Sequence, residues 1–281
     1  MAVLALLALA SSATLWAGNA PQAQPSSTRR GLLRLGGGAT PGAVHECVTS
    51  SAVTSVPTSP FEGQKPGTSG LRKKTRVFQE PHYLENFVQS LFDSLPPSEL
   101  SGSTLVVSGD GRFHNRQAIQ TICRLAAANG VARVWVGVDG LLSTPAASAV
   151  IREREGGVAY GGIILTASHN PGGPDEDFGI KYNVQNGGPA LESLTGTIHA
   201  RTETIAEYRQ CEGIGEVDLS IPGRHVFTES TGAHGFFEVE VINPTEDYLA
   251  LLRQVGRGRG RGHGEGGRGQ GGKGKGAGRK G

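Results

Sequence analysis

Short apolar runs alternate with amphipathic stretches through the middle of the chain. The runs Thr104–Ser108, Arg133–Val138 and Ile163–Thr166 are rich in β-branched residues and lie next to turn residues, which predicts buried strands. Between them, Arg116–Asn129 and Pro145–Arg154 place apolar residues at helical spacing,. Strands that alternate with helices of this length predict an α/β domain with a mainly parallel sheet.

Four further elements flank this alternation. Tyr83–Leu95 has an apolar stripe and is predicted to be an amphipathic helix, whereas Leu191–Tyr208 is predicted to be a polar helix at an edge of the domain,. Phe236–Ile242 alternates apolar and polar residues, as a half-exposed strand does,. A last helix is predicted over Pro244–Gln254, because proline is tolerated in a first helical turn,.

The segments outside these elements have a different composition. Residues 46–60 are rich in Ser, Thr and Val without clear periodicity, and they are predicted to be a linker to a domain over residues 61–254. Residues 255–281 are about half glycine, with eight Lys or Arg and one Glu. Such a segment cannot bury enough apolar surface to fold, so it is predicted to be a disordered tail.

The tail has two interpretations, an RGG-like arm that binds RNA through charge or an artefact of truncation or misreading. It lacks the interleaved aromatic residues that stack on bases,. The formal net charge of the whole chain is only +2. Since both ends are basic, the body between them is acidic, and nucleic-acid binding is not predicted for it.

The first 45 residues contain no Asp or Glu and include Arg29, Arg30 and Arg34. Their apolar part is shorter than the ~20 residues of a membrane-spanning helix, so no membrane association is predicted. A composition rich in Ser, Ala and Arg favours a transit peptide for a plastid (chloroplast) or another organelle over a secretory signal, which would begin with basic residues. A cytoplasmic location is the alternative.

The richest chemistry lies in Gly161–Asn183. An apolar run ends in a polar turn that presents Ser168, His169 and Asn170, and the chain then returns to present Lys181. A serine at the mouth of a strand can carry a phosphoryl group covalently. A lysine nearby would stabilise the phosphoserine dianion or take part in proton transfer. His169 would contact the phosphate, shuttle a proton or only stabilise the turn.

A second polar loop, Gly67–Lys74, precedes the domain's first predicted helix. Arg72 offers a guanidinium fork that matches phosphate geometry, and Thr68 and Ser69 supply hydroxyl groups. Lys73 and Lys74 are predicted to contribute only a positive electrostatic potential near the phosphate. The three acids at 175–177 are predicted to be solvated rather than to bind a metal, because they are consecutive in a Gly/Pro-rich loop,.

The stretches GTSGLRKK (67–74), GLLSTP (140–145) and TASHNP (166–171) resemble the α-D-phosphohexomutases, and DFGIKYN and NGGPA narrow the resemblance to the phosphoglucomutases. It extends from about Phe61 to Arg253. The resemblance implies the first domain of the phosphohexomutase fold, with a mixed, mainly parallel sheet sandwiched by helices. It also implies that glucose 1-phosphate and glucose 6-phosphate are interconverted through glucose 1,6-bisphosphate, with Mg²⁺.

The resemblance assigns roles residue by residue. Ser168 is implied to be the phosphoserine, whose phosphate would also bind Mg²⁺, with His169 and Lys181 as its catalytic neighbours. The residues implied to bind substrate or phosphate are Thr68, Ser69, Arg72 and Asn170. The implied substrate is a hexose phosphate.

The chain departs from the family pattern in what it lacks. A complete member has four domains around one cleft and includes a DGDGDR-type metal loop, a GEES-type sugar loop and a second phosphate loop, which this sequence does not contain. Its GDGR at 109–112 follows the first strand and is not the metal loop. We therefore expect a truncated N-terminal domain with little or no turnover by itself. The alternative is a non-catalytic interaction protein with an RNA-binding RGG-like tail.

Overall fold

The computed structural model describes residues 44–48, 52–228 and 235–259. All of them belong to the unit Thr40–Gly281, whereas the other unit, Met1–Ala39, lies outside the described residues. Most of the predicted leader and most of the predicted tail therefore have no structural description. None of the helices in the described ranges is long and apolar enough to cross a membrane.

The described residues form ten strands and seven α-helices. The strands are β1 (Val44–Val48), β2 (Val53–Pro57), β3 (Leu71–Lys74), β4 (Thr104–Gly109), β5 (Arg133–Gly137), β6 (Ala159–Leu165), β7 (Asp177–Val184), β8 (Glu207–Cys211), β9 (Gly223–Thr228) and β10 (Phe236–Ile242). The helices are α1 (Thr75–Phe78), α2 (Tyr83–Phe92), α3 (Pro97–Leu100), α4 (Asn115–Ala128), α5 (Thr144–Glu153), α6 (Glu192–Thr202) and α7 (Glu246–Arg259).

The described strands form one eight-stranded sheet in the order β1-β9-β10-β5-β4-β6-β7-β3 and a separate pair, β2 with β8. Strands β10, β5, β4 and β6 run parallel to one another. The strands β9 and β7, which flank this parallel centre, are antiparallel to their central neighbours. This confirms the predicted mixed, mainly parallel sheet.

Both faces of the sheet are covered. Leu105 and Val107 of β4 point into a large core with residues of α2 and α4. Val106, between them, points into a second core with residues of α5 and with Tyr248 of α7. The period of two along a strand that is buried on both faces explains why its sequence reads as a continuous apolar run.

The connections around β4 create a crevice at one end of the sheet. The chain passes from β4 through α4 to β5 on one side, then through α5 to β6 on the other side of β4. Helices α4 and α5 lie on opposite faces. Ligands of open α/β sheets bind outside the carboxyl ends of strands at such a reversal of strand order. The loops that follow β4 and β6 meet there.

Two predicted boundaries were wrong. The predicted linker 46–60 contains part of β1 and all of β2, which pair with β9 and β8. Their partners lie 150 or more residues away in sequence, so no local periodicity indicates these strands. At the other end, α7 continues to Arg259, five residues into the predicted tail. The rest of that tail lies outside the described residues, and RNA binding by it stays a prediction.

The predicted polar helix Leu191–Tyr208 is also too long. Helix α6 ends at Thr202, whose hydroxyl donates to the carbonyl of His199 at 2.7 Å. Tyr208 lies instead in β8, where its hydroxyl is 2.9 Å from Nδ1 of His82. Polar residues of an edge strand have no apolar repeat that distinguishes them from a polar helix.

Candidate active site

Ser168 lies in the loop after β6, at the carboxyl edge of the parallel strands. Its side chain is exposed, and its φ of 58° places it in the left-handed region. Residues other than glycine adopt this conformation seldom, and usually where surrounding contacts impose it. Its N–H donates to Oγ1 of Thr166 at 2.9 Å. The sequence therefore presents the serine hydroxyl on a constrained turn.

Arg72 reaches Ser168 from the edge strand of the sheet. Strand β3 pairs antiparallel with β7 and places Arg72 opposite Gly179. Nη2 of Arg72 donates to Oγ of Ser168 at 2.9 Å. Its Nε is buried and has no hydrogen-bond partner among the described residues. An unsatisfied guanidinium beside a serine hydroxyl would stabilise a phosphate on that oxygen.

Lys181 lies on β7, opposite Ile164 of β6, and is half-buried. Burial lowers the pKa of its ammonium, and the positive charge of Arg72 lowers it further. No residue in the described ranges forms an ion pair with Lys181. Two neighbouring cations without a shared counter-charge favour an anion between them, which agrees with a phosphate-binding site.

The other predicted site residues are placed differently. His169 is exposed and makes no hydrogen bond or ion pair within the described ranges. Thr68 and Ser69 are exposed in a turn that is closed by Gly67 and Gly70, whose backbone groups bond at 2.9 and 3.2 Å. The side-chain amide of Asn170 donates to Oδ2 of Asp177 at 2.8 Å, so Asn170 braces the loop.

A network that sequence reasoning missed supports the serine loop. Arg112 binds Asp110 through Nε at 3.0 Å and Nη2 at 2.8 Å. Its Nη1 donates to the carbonyl of Asp177 at 2.5 Å, and Nη2 lies 3.4 Å from the carbonyl of Ser168. Oγ1 of Thr166 donates to Oδ2 of Asp110 at 2.6 Å. The sequence signal that could have indicated this network is the Asp-Gly-Arg turn at 110–112, directly after the buried strand β4.

The prediction that all three acids of the loop are solvated was wrong for two of them, Glu176 and Asp177. Nζ of Lys74 lies 3.0 Å from Asp177 and 3.6 Å from Glu176. The hydrogen bond from Lys74, and then that from Asn170, lowers the pKa of Asp177. Lys74 is therefore occupied in holding the loop, whereas Asp175 is exposed.

The described residues do not by themselves fit Mg²⁺. They include no group of three or more His, Cys, Asp or Glu side chains that could hold a metal ion. Both oxygens of Asp110 are engaged by Arg112 and Thr166. Since Mg²⁺ needs near-octahedral oxygen ligands, this part of the chain offers no such set without a phosphate on Ser168.

The Asp110 network predicts a pH-dependent stability. Burial raises the pKa of Asp110, but hydrogen bonds from Arg112 and Thr166 outweigh burial and bring it below its ordinary value of 3.8. A lowered pKa stabilises the fold above that ordinary value, and the stabilisation is lost as the pH falls through the folded-state pKa. We expect Asp110→Asn to lower the free energy of unfolding at neutral pH, with the difference from wild type shrinking below pH 3.8.

Urea unfolding at about pH 7 and about pH 3 measures this difference. Asp175→Asn is the matched control, because Asp175 is exposed and makes no ion pair within the described residues. Equal effects of the two substitutions at neutral pH would contradict the assigned network.

A family profile described as "Phosphoglucomutase/phosphomannomutase, alpha/beta/alpha domain I" matches residues 63–209. The matched range includes Arg72, Ser168 and Lys181 and the strands that carry or precede them. The chain belongs to the phosphoglucomutase/phosphomannomutase family. This confirms the resemblance drawn from the GTSGLRKK and TASHNP stretches, and the match to domain I of that family covers residues 63–209.

Two curated relatives and one solved structure show how far the similarity extends. The chain is 58% identical over 206 residues to "Phosphoglucomutase, cytoplasmic" of Solanum tuberosum. The aligned region covers 72% of this chain and 35% of the relative. The chain is 57% identical, with the same coverage, to "Probable phosphoglucomutase, cytoplasmic 1" of Arabidopsis thaliana. The open-form crystal structure of the Paramecium phosphoglucomutase pp63/parafusin superposes with a TM-score of 0.70 and 46% identity, over 76% of this chain and 38% of that one.

These comparisons set one limit and correct one prediction. The chain spans about a third of the length of the curated relatives that it matches. The location in a plastid or another organelle, predicted from the composition of the first 45 residues, is contradicted because the matched relatives are named cytoplasmic phosphoglucomutases. Composition without acids was a weak basis for a location.

Proposed function

We propose that this chain supplies the phosphoserine domain of a phosphoglucomutase, which interconverts glucose 1-phosphate and glucose 6-phosphate. One observation carries the proposal: Nη2 of Arg72 lies 2.9 Å from Oγ of the exposed, left-handed Ser168. A hydroxyl held in this way beside a cation suits a covalent phosphoryl carrier. Membership of the family, which the profile match establishes, supports a hexose phosphate as the substrate class.

The proposed reaction has two phosphoryl transfers. In the first, the bond between phosphorus and Oγ of Ser168 breaks, and phosphorus bonds to the free hydroxyl of the hexose phosphate, giving glucose 1,6-bisphosphate. In the second, Oγ takes the other phosphoryl group from this intermediate and restores the phosphoserine. The hydroxyl proton lost in the first transfer returns to the sugar oxygen freed in the second, so the net change is an isomerisation.

The other roles follow from the placement of the side chains. Arg72 and Lys181 would neutralise the phosphate on Ser168 in both transfers. His169, exposed beside Ser168, would contact the incoming sugar phosphate, and Thr68 and Ser69 would bind its oxygens. Asn170 would act by bracing the loop through Asp177. The phosphate on Ser168 would be one ligand of Mg²⁺, which would supply charge neutralisation when bound.

A chimera tests the proposal, because the chain spans 35% of the Solanum tuberosum relative. The 206 matched residues of this chain replace the corresponding segment of that enzyme. Formation of glucose 6-phosphate from glucose 1-phosphate, with glucose 1,6-bisphosphate and Mg²⁺ present, is followed with a coupled dehydrogenase. We expect turnover within about tenfold of the unmodified relative.

A chimera that folds, as judged by a cooperative thermal transition, but produces no glucose 6-phosphate would contradict the proposal. The unmodified Solanum tuberosum protein serves as the positive control. The present chain assayed by itself tests the further expectation that it has little or no turnover without the remaining segments.

A further inference from the structure

We infer that Arg112 and Asp110 are positioning residues that hold Ser168 in its left-handed conformation and thereby aim its hydroxyl at Arg72. The effect on turnover rests on the proposed function, whereas the effect on the loop does not. Neither residue touches the Ser168 hydroxyl. Their action is exerted on the backbone of the loop between β6 and β7, from Ser168 to the first residue of β7, Asp177.

The guanidinium of Arg112 contacts the backbone at both ends of this loop. Its Nη1 donates to the carbonyl of Asp177 at 2.5 Å, and its Nη2 lies 3.4 Å from the carbonyl of Ser168. Its side chain is only 6% exposed. A buried guanidinium that binds both loop ends restricts their separation.

Asp110 fixes the direction of the remaining hydrogen bonds. Its carboxylate binds Arg112 through both oxygens and accepts from the hydroxyl of Thr166 at 2.6 Å. Since that hydroxyl hydrogen is directed to Asp110, Oγ1 of Thr166 is left to accept the Ser168 N–H at 2.9 Å. Both backbone polar groups of Ser168 thus contact the network.

The same contacts separate this role from direct phosphate binding. The N–H groups of Arg112 donate to the Asp110 carboxylate and to the backbone carbonyls of Asp177 and Ser168. The Asp110 carboxylate neutralises its charge. Arg112 therefore acts through the conformation of Ser168, and Arg72 remains the guanidinium that contacts the hydroxyl.

Lysine cannot replace this function of arginine. One ammonium has no planar fork to bind a carboxylate with two nitrogens while a third reaches the far end of the loop. A displaced serine oxygen should reduce the rate of phosphoryl transfer more than the binding of substrate, because small misplacements of a reacting group are costly to the rate.

Hydrogen exchange on the full chain tests the effect on the loop without any activity. Arg112→Lys should raise the exchange rate of the Ser168 amide by about tenfold or more, and Asp110→Asn should raise it by a smaller factor. Arg154→Lys is the matched control, since Arg154 is also mostly buried and also binds two carboxylates, Glu240 at 2.9 Å and Asp247 at 3.3 Å. It should leave the Ser168 amide unchanged.

Kinetics in the chimera test the effect on turnover. We expect Arg112→Lys to lower kcat by roughly tenfold to a hundredfold while KM stays within about twofold, and Arg154→Lys to leave both unchanged. Free guanidinium, but not sodium, should partly restore kcat to Arg112→Ala. An inactive wild-type chimera would contradict the proposed function, and the exchange measurement would still decide this inference. Ser168 exchange in Arg112→Lys equal to that in Arg154→Lys would overturn it.

Discussion

Replacing Ser168 with alanine is expected to abolish turnover in the chimera, with a loss of more than about a thousandfold. The substitution removes the hydroxyl oxygen that Arg72 contacts and that is proposed to carry the phosphoryl group. The fold should persist, because the side chain is exposed and the Ser168 N–H still reaches Thr166. Coupled assays and thermal unfolding of the same preparation measure both effects.

Ser193→Ala provides the matched control for this experiment. Ser193 is an exposed serine of α6, and its backbone carbonyl, which the substitution keeps, accepts from Thr197 at 3.0 Å. This variant should retain full activity. Turnover by Ser168→Ala within about tenfold of wild type would show that another group carries the phosphoryl.

Gly179→Ala is expected to destabilise the chain by about 3 kcal/mol and to reduce the activity of the chimera. A Cβ at Gly179 would overlap the backbone carbonyl of Thr166 and would lie 3.3 Å from Cγ of Arg72. The Thr166 backbone, whose N–H donates to the carbonyl of Gly179 at 2.8 Å, cannot move aside as a flexible side chain does. Relief of the overlap must shift Thr166, and with it the Ser168 N–H bond, or Arg72.

The matched control is a second glycine in the same chain. Gly196 lies within α6 on the surface, and a Cβ there would meet nothing within 4 Å. Gly196→Ala should therefore stabilise the chain by about 0.5–1 kcal/mol, since alanine favours a helix over glycine. Urea unfolding of both variants measures the contrast. Equal free energies of unfolding would contradict the close approach assigned to Gly179.

Much of the centre of the fold could be predicted from sequence because its signals are local. The apolar runs of β4, β5 and β6 and the helical spacing in α4 each lie within about a dozen residues. Strand β3 carries no such signal, since its four residues LRKK look like a charged loop. Its pairing with β7 depends on residues more than 100 positions away.

The residues of the candidate site also fall into two groups, those with a local sequence signal and those whose partners are distant in sequence. Ser168, Arg72 and Lys181 could be proposed because the residue types and the family motifs are visible in sequence. The roles of Asp110 and Arg112 could not, because their partners lie in loops separated by about 55 to 65 residues. The loop acids were misjudged for a related reason, as Lys74 reaches Asp177 only through the β3–β7 pairing.

The most direct test of the account is the identity of the residue that carries phosphate. The chimera is incubated with glucose 1,6-bisphosphate labelled in its phosphoryl groups, digested, and mapped by fragmentation mass spectrometry. The account predicts one labelled site, Ser168, with the label lost when unlabelled glucose 1-phosphate is added. Label on another residue, or turnover that continues while Ser168 remains unlabelled, would contradict it.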